Sequence, residues 1–404
     1  MNLDFQHCIR CTICLENCPV FRVNSDFPGP KQSGPDSQRF RCDGETPVDH
    51  WITLCSQCRR CEIACPYGVN PAEIILREQL DYGKKHYRPL VSRLFSRVYY
   101  LGNLISLIAP VANRLVSVKI VRRLMAFTGI SDYLKLPPYR FHAMKRSWRW
   151  KGSHKSKRKV AFFYGCYLNY NRPDIGRKIR DLFASAGFRV VLPGQVCCGL
   201  PALGNGDLAA ARRLAGRNVS ILEEYIDRGF DILYSCTSCG LMLTQCYPGI
   251  LDMEGGKKIA ENTYNIHEYL LKLMDEGLLN LIFESVTEKA AYHIPCHLKA
   301  LGIGYPGAML LERIPGLEIT VMDDLCCGLA GTYGLRKKNQ DTSYRLGIIA
   351  ARALRDTGAS YIITDCATCR LQLSQLSGMP ARDPAEILFE SLKGSVNMKR
   401  KKKL

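Results

Sequence analysis

The sequence predicts a protein of mixed α+β and α/β class: a helix-and-loop domain rich in cysteine, a basic helical segment, and two copies of one α/β domain. Two observations lead to this prediction. Short apolar runs alternate with helical stretches twice over, and the matching cysteines of the two passages lie 129 or 130 residues apart. Such a constant offset is typical of a duplicated domain. At 404 residues the chain has room for all of these parts.

The domain boundaries follow the changes in composition. Residues 84–160 hold nineteen Lys and Arg against one acidic residue, so this stretch accounts for most of the net charge of +19. The positive charge therefore needs a local explanation. We predict a cysteine-rich domain over residues 1–80, a basic amphipathic segment over 81–158, α/β domains over 159–285 and 286–394, and a basic tail over 395–404.

The first domain carries two runs with the spacing Cys-x2-Cys-x2-Cys-x3-Cys-Pro. In such a run three thiolates bind one cubane iron–sulfur cluster, and the fourth binds the other cluster when two are present. Zinc sites do not call for this spacing. The runs therefore predict a ferredoxin-like domain with two [4Fe–4S] cubanes, the first held by Cys8, Cys11, Cys14 and Cys65, and the second by Cys55, Cys58, Cys61 and Cys18.

In the basic segment, Arg residues alternate with apolar residues at helical spacing. Its longest uncharged run, residues 98–113, falls short of the roughly twenty residues that a membrane-spanning helix needs. Basic residues beside apolar faces predict instead helices that lie in a membrane interface and are attracted to an anionic lipid surface. The alternative is a helix pair that binds a partner or the rest of the chain. Nucleic acid is not expected as a partner, because no known nucleic-acid-binding fold accompanies the charge.

Each α/β copy is predicted to form a parallel, Rossmann-like sheet, with cysteines just past the carboxyl ends of its strands. Open α/β sheets bind ligands at that edge. Five thiolates per copy exceed what one tetrahedral zinc ion needs. The groups are Cys166, Cys197, Cys198, Cys236 and Cys239 in the first copy, and Cys296, Cys326, Cys327, Cys366 and Cys369 in the second.

Three other residues are of interest beside these sets. His297 directly follows Cys296 and could hydrogen-bond a sulfur and tune its potential, or be an ordinary core or surface histidine. Cys42 and Cys246 fit neither pattern and are predicted to be small buried thiols.

The five-cysteine sets, each containing Cys-Cys-Gly, resemble the cysteine-rich (CCG) domains of the B subunit of heterodisulfide reductase. They also resemble those of the iron–sulfur subunits of glycolate-, lactate- and glycerol-3-phosphate-oxidising complexes. The resemblance implies one or two non-cubane [4Fe–4S] clusters, held by the five cysteines of each copy. Zinc in one of the two CCG sites is the alternative, since thiolate-rich sites accept either metal.

A resemblance over nearly the whole chain is to the family of the C subunit of anaerobic glycerol-3-phosphate dehydrogenase, and it rests on residues 27–36, 169–171, 326–334 and 364–366. It implies an electron-transfer and membrane-anchoring subunit that passes electrons from flavoprotein dehydrogenase subunits to membrane quinone, with menaquinone favoured, in anaerobic respiration. One alternative is an iron–sulfur subunit of a lactate, glycolate or heterodisulfide complex. Another is a soluble cluster or zinc scaffold with a regulatory role.

The sequence indicates that substrate oxidation occurs elsewhere. No Gly-x-Gly-x-x-Gly fingerprint lies on a predicted strand–helix turn, so we expect neither flavin nor NAD in this chain, and no catalytic residue is assigned. Dehydrogenation transfers two electrons, which requires a flavin on a partner. The amino terminus lacks a signal-peptide pattern, so a peripheral location on the cytoplasmic face of the inner membrane is expected. Quinone reduction is expected near the second CCG cluster or at the interfacial helices.

Overall fold

The computed structural model describes residues 5–42, 50–86, 88–141, 143–144, 156, 158–393 and 397–398. The N-terminal part consists of short helices and loops packed around Phe27, Ile52 and Ile75. Its α-helices are Ile13–Glu16, Pro19–Val23, Ser37–Cys42, Arg60–Ile63 and Pro71–Lys85, with 3-10 turns at Phe5–His7 and His50–Leu54 and a π-helical turn at Gln32–Asp36.

Residues 90–127 of the basic segment fold into four consecutive helices. The predicted uncharged run is divided at Ile108, because Pro110 starts a new helix and restricts the backbone before it. Among the residues that the structure describes, no helix is both long and apolar enough to cross a bilayer. The helices are Leu90–Ser96, Val98–Leu107, Ala109–Ser117 and Lys119–Phe127.

Two four-stranded parallel sheets follow, and the predicted duplication of an α/β fold is confirmed. The strands of the first sheet are β1 (Lys159–Phe163), β2 (Arg189–Val191), β3 (Asp231–Tyr234) and β4 (Thr263–Asn265). Those of the second are β6 (Glu288–His293), β7 (Leu317–Met322), β8 (Tyr361–Ile363) and β9 (Ala381–Arg382), and β5 (Leu279–Asn280) lies between the sheets in the chain. The first sheet has the order β2-β1-β3-β4 and the second β7-β6-β8-β9, so the strands occupy equivalent places in the two copies.

Helices cover both sheets and bury their apolar faces against them. In the first copy they are Gly165–Tyr170, Pro173–Ser185, Leu200–Leu203, Leu208–Asp227, Thr237–Leu241, Gly256–Glu261 and Ile266–Asp275, with a π-helical turn at Met242–Cys246. In the second they are Cys296–Leu301, Pro306–Leu311, Gln340–Asp356, Ala367–Ser377 and Pro384–Glu390, with a 3-10 turn at Lys337–Asn339.

The two copies share one apolar core, in which Phe183 of the first and Tyr292 of the second belong to the same buried cluster. Arg370 of the second copy lies 5.1 Å from the ring centre of Tyr167 in the first, and its guanidinium is 3.2 Å from the Asp383 carboxylate. This buried cation is thus paired, as burial of a charge requires. The two copies therefore pack against each other as one body and are not separate domains joined by a linker.

The segments outside the sheets are tied to this body. β10 (Asn397–Met398) pairs with β5, so the first described residues of the predicted basic tail add a strand, while the rest of that tail lies outside the described residues. The Tyr133 hydroxyl lies 2.9 Å from Ser343 Oγ and donates to Gln372 Oε1 at 2.9 Å. The end of the basic segment is therefore packed on the second copy.

Candidate metal centres

All four predicted cysteine sets come together in space as sets. In the α/β copies the reason is the fold: β1 ends three residues before Cys166, and β3 ends two residues before Cys236. Since these strands are parallel neighbours, their carboxyl ends meet at one edge of the sheet. The nineteen cysteines whose side chains are described are all free thiols.

The first ferredoxin set lines a cleft near the amino terminus. Its four cysteines come from two distant runs, as the crossing pattern requires. Burial and the charges of Cys8 and Cys11 raise the pKa of Cys14 to about 11. Thiolates held this close need a compensating positive charge, which iron supplies when a cluster is bound. The set comprises Cys8, Cys11, Cys14 and Cys65.

The second ferredoxin set lies deeper, around a space of about 290 Å³. Burial and then the charge of Cys58 raise the pKa of Cys18 to about 12, and burial raises that of Cys61 well above its ordinary value. The set comprises Cys18, Cys55, Cys58 and Cys61. The structure thus assembles the predicted quartets, and their role as cluster ligands stays a prediction.

The backbone of both runs has the same unusual shape. Arg10 and Thr12 in the first run and Gln57 and Arg59 in the second have φ values of 63°, 67°, 59° and 60°. Non-glycine residues adopt this left-handed conformation at a cost, and it persists where the surroundings impose it. Its recurrence at matching positions curls each run around one point and fits a cluster held by three closely spaced cysteines.

In the first CCG site the five thiols lie close enough together to shift one another's pKa. Cys197 raises the pKa of both Cys166 and Cys198. The neighbouring thiol of Cys239 lowers the pKa of Cys236 to about 7, despite burial. A closed group of five thiols suits a multinuclear site better than a single tetrahedral ion.

The second CCG site is arranged differently. Cys369 donates to Cys327 across 3.1 Å and also bonds Cys366. Burial, followed by the charges of Cys58 and Cys326, raises the pKa of Cys296. Three of the five thiols therefore contact one another, while Cys296 lies toward the second ferredoxin set.

His293 is a neighbour of this site that the sequence pattern did not reveal. Its ring is buried, and one of its nitrogens and the sulfurs of Cys327 and Cys369 all lie within 4.8 Å of one another. The hydrogen bond from Cys369 and the nearby ring of His293 hold the pKa of Cys327 well below its ordinary range. The equivalent residue of the first copy is Phe163, so only an alignment of the two copies could have drawn attention to the histidine.

The two Cys-Cys-Gly turns differ in how tightly their glycines are enclosed. Gly199 and Gly328 have φ values of 96° and 82°, which L side chains rarely adopt. A Cβ at position 328 would lie 2.3 Å from the Ser343 carbonyl oxygen, whereas at 199 it would lie 3.3 Å from that of Ala211.

We expect Gly328→Ala to lower the free energy of unfolding by about 3 kcal/mol or more. The strain of the backbone conformation and the clash of the new Cβ with the Ser343 carbonyl oxygen both destabilise the variant. Gly199→Ala should cost about 1–2 kcal/mol, from the backbone conformation alone. Chemical denaturation of both variants under anaerobic conditions measures this difference. Equal losses in the two variants would contradict the role of the Ser343 carbonyl.

Polar side chains connect the second ferredoxin set to the second CCG site, and the second CCG site to the first. Arg60 donates to the Asp324 carbonyl oxygen at 2.9 Å, next to the second CCG turn. His297 Nδ1 lies 2.9 Å from Ser238 Oγ, between two cysteines of the first CCG site. Burial lowers the pKa of His297 to about 4, so its ring is neutral near pH 7. The histidine thus bonds a hydroxyl, and not the sulfur considered from the sequence.

Two cysteines, Cys42 and Cys246, belong to none of the four sets. Cys246 is buried, as predicted, and the guanidinium of Arg59 lies 3.7 Å from its sulfur. The side chain of Cys42 lies outside the described residues.

Comparisons with known proteins match three stretches of the chain to two families. Residues 4–69 match the 4Fe-4S dicluster domain family, and residues 160–244 and 290–374 each match the cysteine-rich domain family. A structure of a hypothetical protein from Helicobacter pylori has a similar fold, with a TM-score of 0.51 and 11% identity over 91% of this chain and 68% of that one.

Three relatives place the protein more closely. The C subunit of anaerobic glycerol-3-phosphate dehydrogenase from Escherichia coli K12 is 35% identical over 96% of this chain and 99% of its own. The B subunit of the CoM/CoB fumarate reductase from Methanothermobacter marburgensis is 27% identical over 91% of this chain and 67% of its own. A probable glycolate oxidase iron–sulfur subunit from Bacillus subtilis is 26% identical over 92% and 88%.

Fold, cysteine sets and relatives together define an iron–sulfur electron-transfer subunit of a dehydrogenase or oxidase complex. Such subunits work beside a flavoprotein, which performs the two-electron chemistry. The chain belongs to the family of the C subunit of anaerobic glycerol-3-phosphate dehydrogenase.

Proposed function

We propose that this chain carries electrons from a flavoprotein that oxidises glycerol 3-phosphate to quinone in the membrane, and that it holds the complex at the membrane surface. It would bind two [4Fe–4S] cubanes through the two ferredoxin quartets and non-cubane clusters through the CCG sites. Bound clusters supply one-electron transfer. The residues of this chain hold them in place, keep water away and orient the partner surfaces.

The observation that carries the proposal is that the four cysteine sets form one continuous series. The charge of Cys14 of the first quartet acts on Cys18 of the second. The charge of Cys58 acts on Cys296, and that of Cys236 on Cys366 between the two CCG sites. Neighbouring sets are therefore close enough to influence one another, as a series of one-electron carriers requires.

The basic segment supplies a surface suited to a membrane interface. Leu104, Ile120, Leu124 and Phe127 are 61%, 68%, 60% and 87% exposed, although all are large and apolar. An exposed apolar surface flanked by basic residues is typical of a protein face that binds anionic lipid. The location of that membrane at the cytoplasmic face remains part of the proposal.

This surface is attached directly to the first CCG site. Gly102 lies against the ring of Tyr170, and a Cβ at position 102 would be 2.5 Å from that ring. The Tyr170 hydroxyl donates to the Tyr99 carbonyl oxygen at 3.0 Å. Tyr170 belongs to the same short helix as Cys166, so the apolar surface and the cluster site are packed as one unit.

Anaerobic isolation of the complex from membranes tests the proposal. We expect a flavoprotein that oxidises glycerol 3-phosphate to co-purify with this chain. Glycerol 3-phosphate should then reduce the clusters, and menadione, a soluble naphthoquinone, should reoxidise them. Iron, sulfide and zinc analysis of the same sample counts the clusters. A partner specific for a 2-hydroxy acid, or clusters that menadione cannot oxidise, would overturn the assignment.

A further inference from the structure

A half-open cleft lies between the second ferredoxin quartet and the basic segment, and no sequence motif points to it. The space inside it, counted together with the part that is open to solvent, is about 510 Å³. Side chains from four separate parts of the chain line it, among them Thr53, Gln79, Tyr82, His86, Arg336 and Lys338.

One wall of the cleft adjoins the second quartet. Gln79 Nε2 donates to the carbonyl oxygen of Cys55 at 3.3 Å. On the opposite side the Arg336 guanidinium lies 5.7 Å from the ring centre of Tyr333. Burial and the charge of Cys55 raise the pKa of Tyr333, so this ring lies near the quartet. Gln79 therefore connects the cleft directly to the backbone of Cys55.

The other wall belongs to the basic segment. Pro89 and Ser92, at the start of its first helix, line the cleft. Just after the fourth helix of the segment, Ser131 N donates to the Leu335 carbonyl oxygen at 2.8 Å and fixes the loop that carries Arg336. Both ends of the four-helix stretch, residues 90–127, therefore lie near this cleft.

Three Arg and Lys side chains line the described part of the cleft, and two of them, Arg336 and Lys338, are not paired with a described Asp or Glu. Arg88, one of its cations, is paired with Asp207 at 2.8 Å. Arg336 is only 9% exposed and its Nε has no hydrogen-bond partner among the described groups. Lys338 Nζ donates to Thr53 Oγ1 at 3.2 Å. None of the described residues that line the cleft is an Asp or a Glu.

Aromatic and titratable groups complete the lining. The rings of Tyr82 and His86 stack with centres 3.9 Å apart and offer a flat surface. Although much of the Lys338 side chain is exposed, loss of hydration at its ammonium group and the charge of Arg336 lower its pKa to about 8. A flat ring with carbonyl oxygens matches this combination of a ring surface and cationic donors.

We propose that this cleft binds the headgroup of the quinone that accepts the electrons, with Arg336 and Lys338 donating to its carbonyl oxygens and the Tyr82–His86 pair beside its ring. The proposal rests on the proposed function and adds the location of the acceptor site. Reduction of a quinone to a quinol consumes two electrons and two protons. The partner flavoprotein supplies the electrons through this chain, and water supplies the protons by way of His86 and Lys338.

Binding of menadione to the oxidised, cluster-loaded protein tests the site without turnover. We expect Lys338→Met and His86→Leu each to raise the dissociation constant of menadione about tenfold. This is the effect of losing a hydrogen bond to a charged group or a ring contact. Titration calorimetry measures the constant. Lys337→Met is the matched control, because Lys337 is the exposed neighbour that does not line the cleft. Iron content and the cluster absorbance should be unchanged in all three variants.

The outcomes separate this proposal from the one on which it rests. If menadione binds both cleft variants as it binds Lys337→Met, the acceptor site is elsewhere and the cleft proposal is wrong. If both variants weaken the binding of inorganic phosphate but leave menadione binding unchanged, the cleft is an anion site, and the quinone proposal is also wrong. If menadione neither binds the unaltered protein nor oxidises its reduced clusters, the proposed quinone reduction itself fails.

Discussion

Replacement of Cys61 by serine is expected to remove one cubane cluster and leave the other in place. Cys61 is 6% exposed and lies among Cys18, Cys55 and Cys58, so its replacement removes one of the four thiolates that the cubane requires. The variant should lose about four iron and four sulfide per chain. Anaerobic metal analysis and electron paramagnetic resonance of the reduced protein measure the loss. One cubane signal should disappear, and that of the first quartet should persist.

The control for this variant is Cys246→Ser. Cys246 is also buried, and it contacts Arg59 of the same run, yet it belongs to neither predicted ligand set. Its replacement should leave iron, sulfide and spectra intact, as should Cys42→Ser. A cluster lost from either control would show that the cysteines have been sorted wrongly.

The cysteine sets were predictable because their spacing is a local property. A run such as Cys55 to Cys65 presents three thiols to one point whatever the rest of the chain does. In the α/β copies the strand ends carry the cysteines to one edge, and the strand pattern is readable from the alternation of apolar runs. The structure therefore groups the thiols as the sequence indicated.

The rest depends on contacts between distant residues. His293 reaches the second CCG site from the end of β6, and its position becomes notable only against Phe163 of the first copy. The cleft combines residues as far apart as Thr53 and Lys338. Neither set of residues forms a motif, because tertiary packing, rather than spacing along the chain, brings them together.

The helical segment shows an intermediate case. Its amphipathic, basic character was readable from composition, whereas its division into four short helices was not. A sequence window averages over the break at Ile108, but the backbone before Pro110 cannot continue a regular helix. The consequence is functional, since short helices joined at angles can lay several apolar faces on one surface.

The second large effect is expected at this surface. Ile120, Leu124 and Phe127 follow one another at helical spacing on the helix Lys119–Phe127, so they share a face, and each is more than half exposed. Replacing all three with serine should weaken binding to vesicles that contain anionic lipid about a hundredfold or more, since each buried apolar side chain contributes about 1–2 kcal/mol. Vesicle sedimentation of the purified protein measures this partition.

A matched triple variant separates this effect from a general change in hydrophobicity. Ile282, Met309 and Ile349 are 52%, 53% and 53% exposed, but they lie on or beside the second α/β copy and do not belong to the basic segment. Serine at these three positions removes comparable apolar area and should leave vesicle binding unchanged. If both triple variants bind vesicles as the unaltered protein does, the basic segment is a surface for a protein partner rather than for lipid. Because the substituted side chains contact solvent, iron content should stay constant in both variants, which distinguishes lost membrane binding from lost folding.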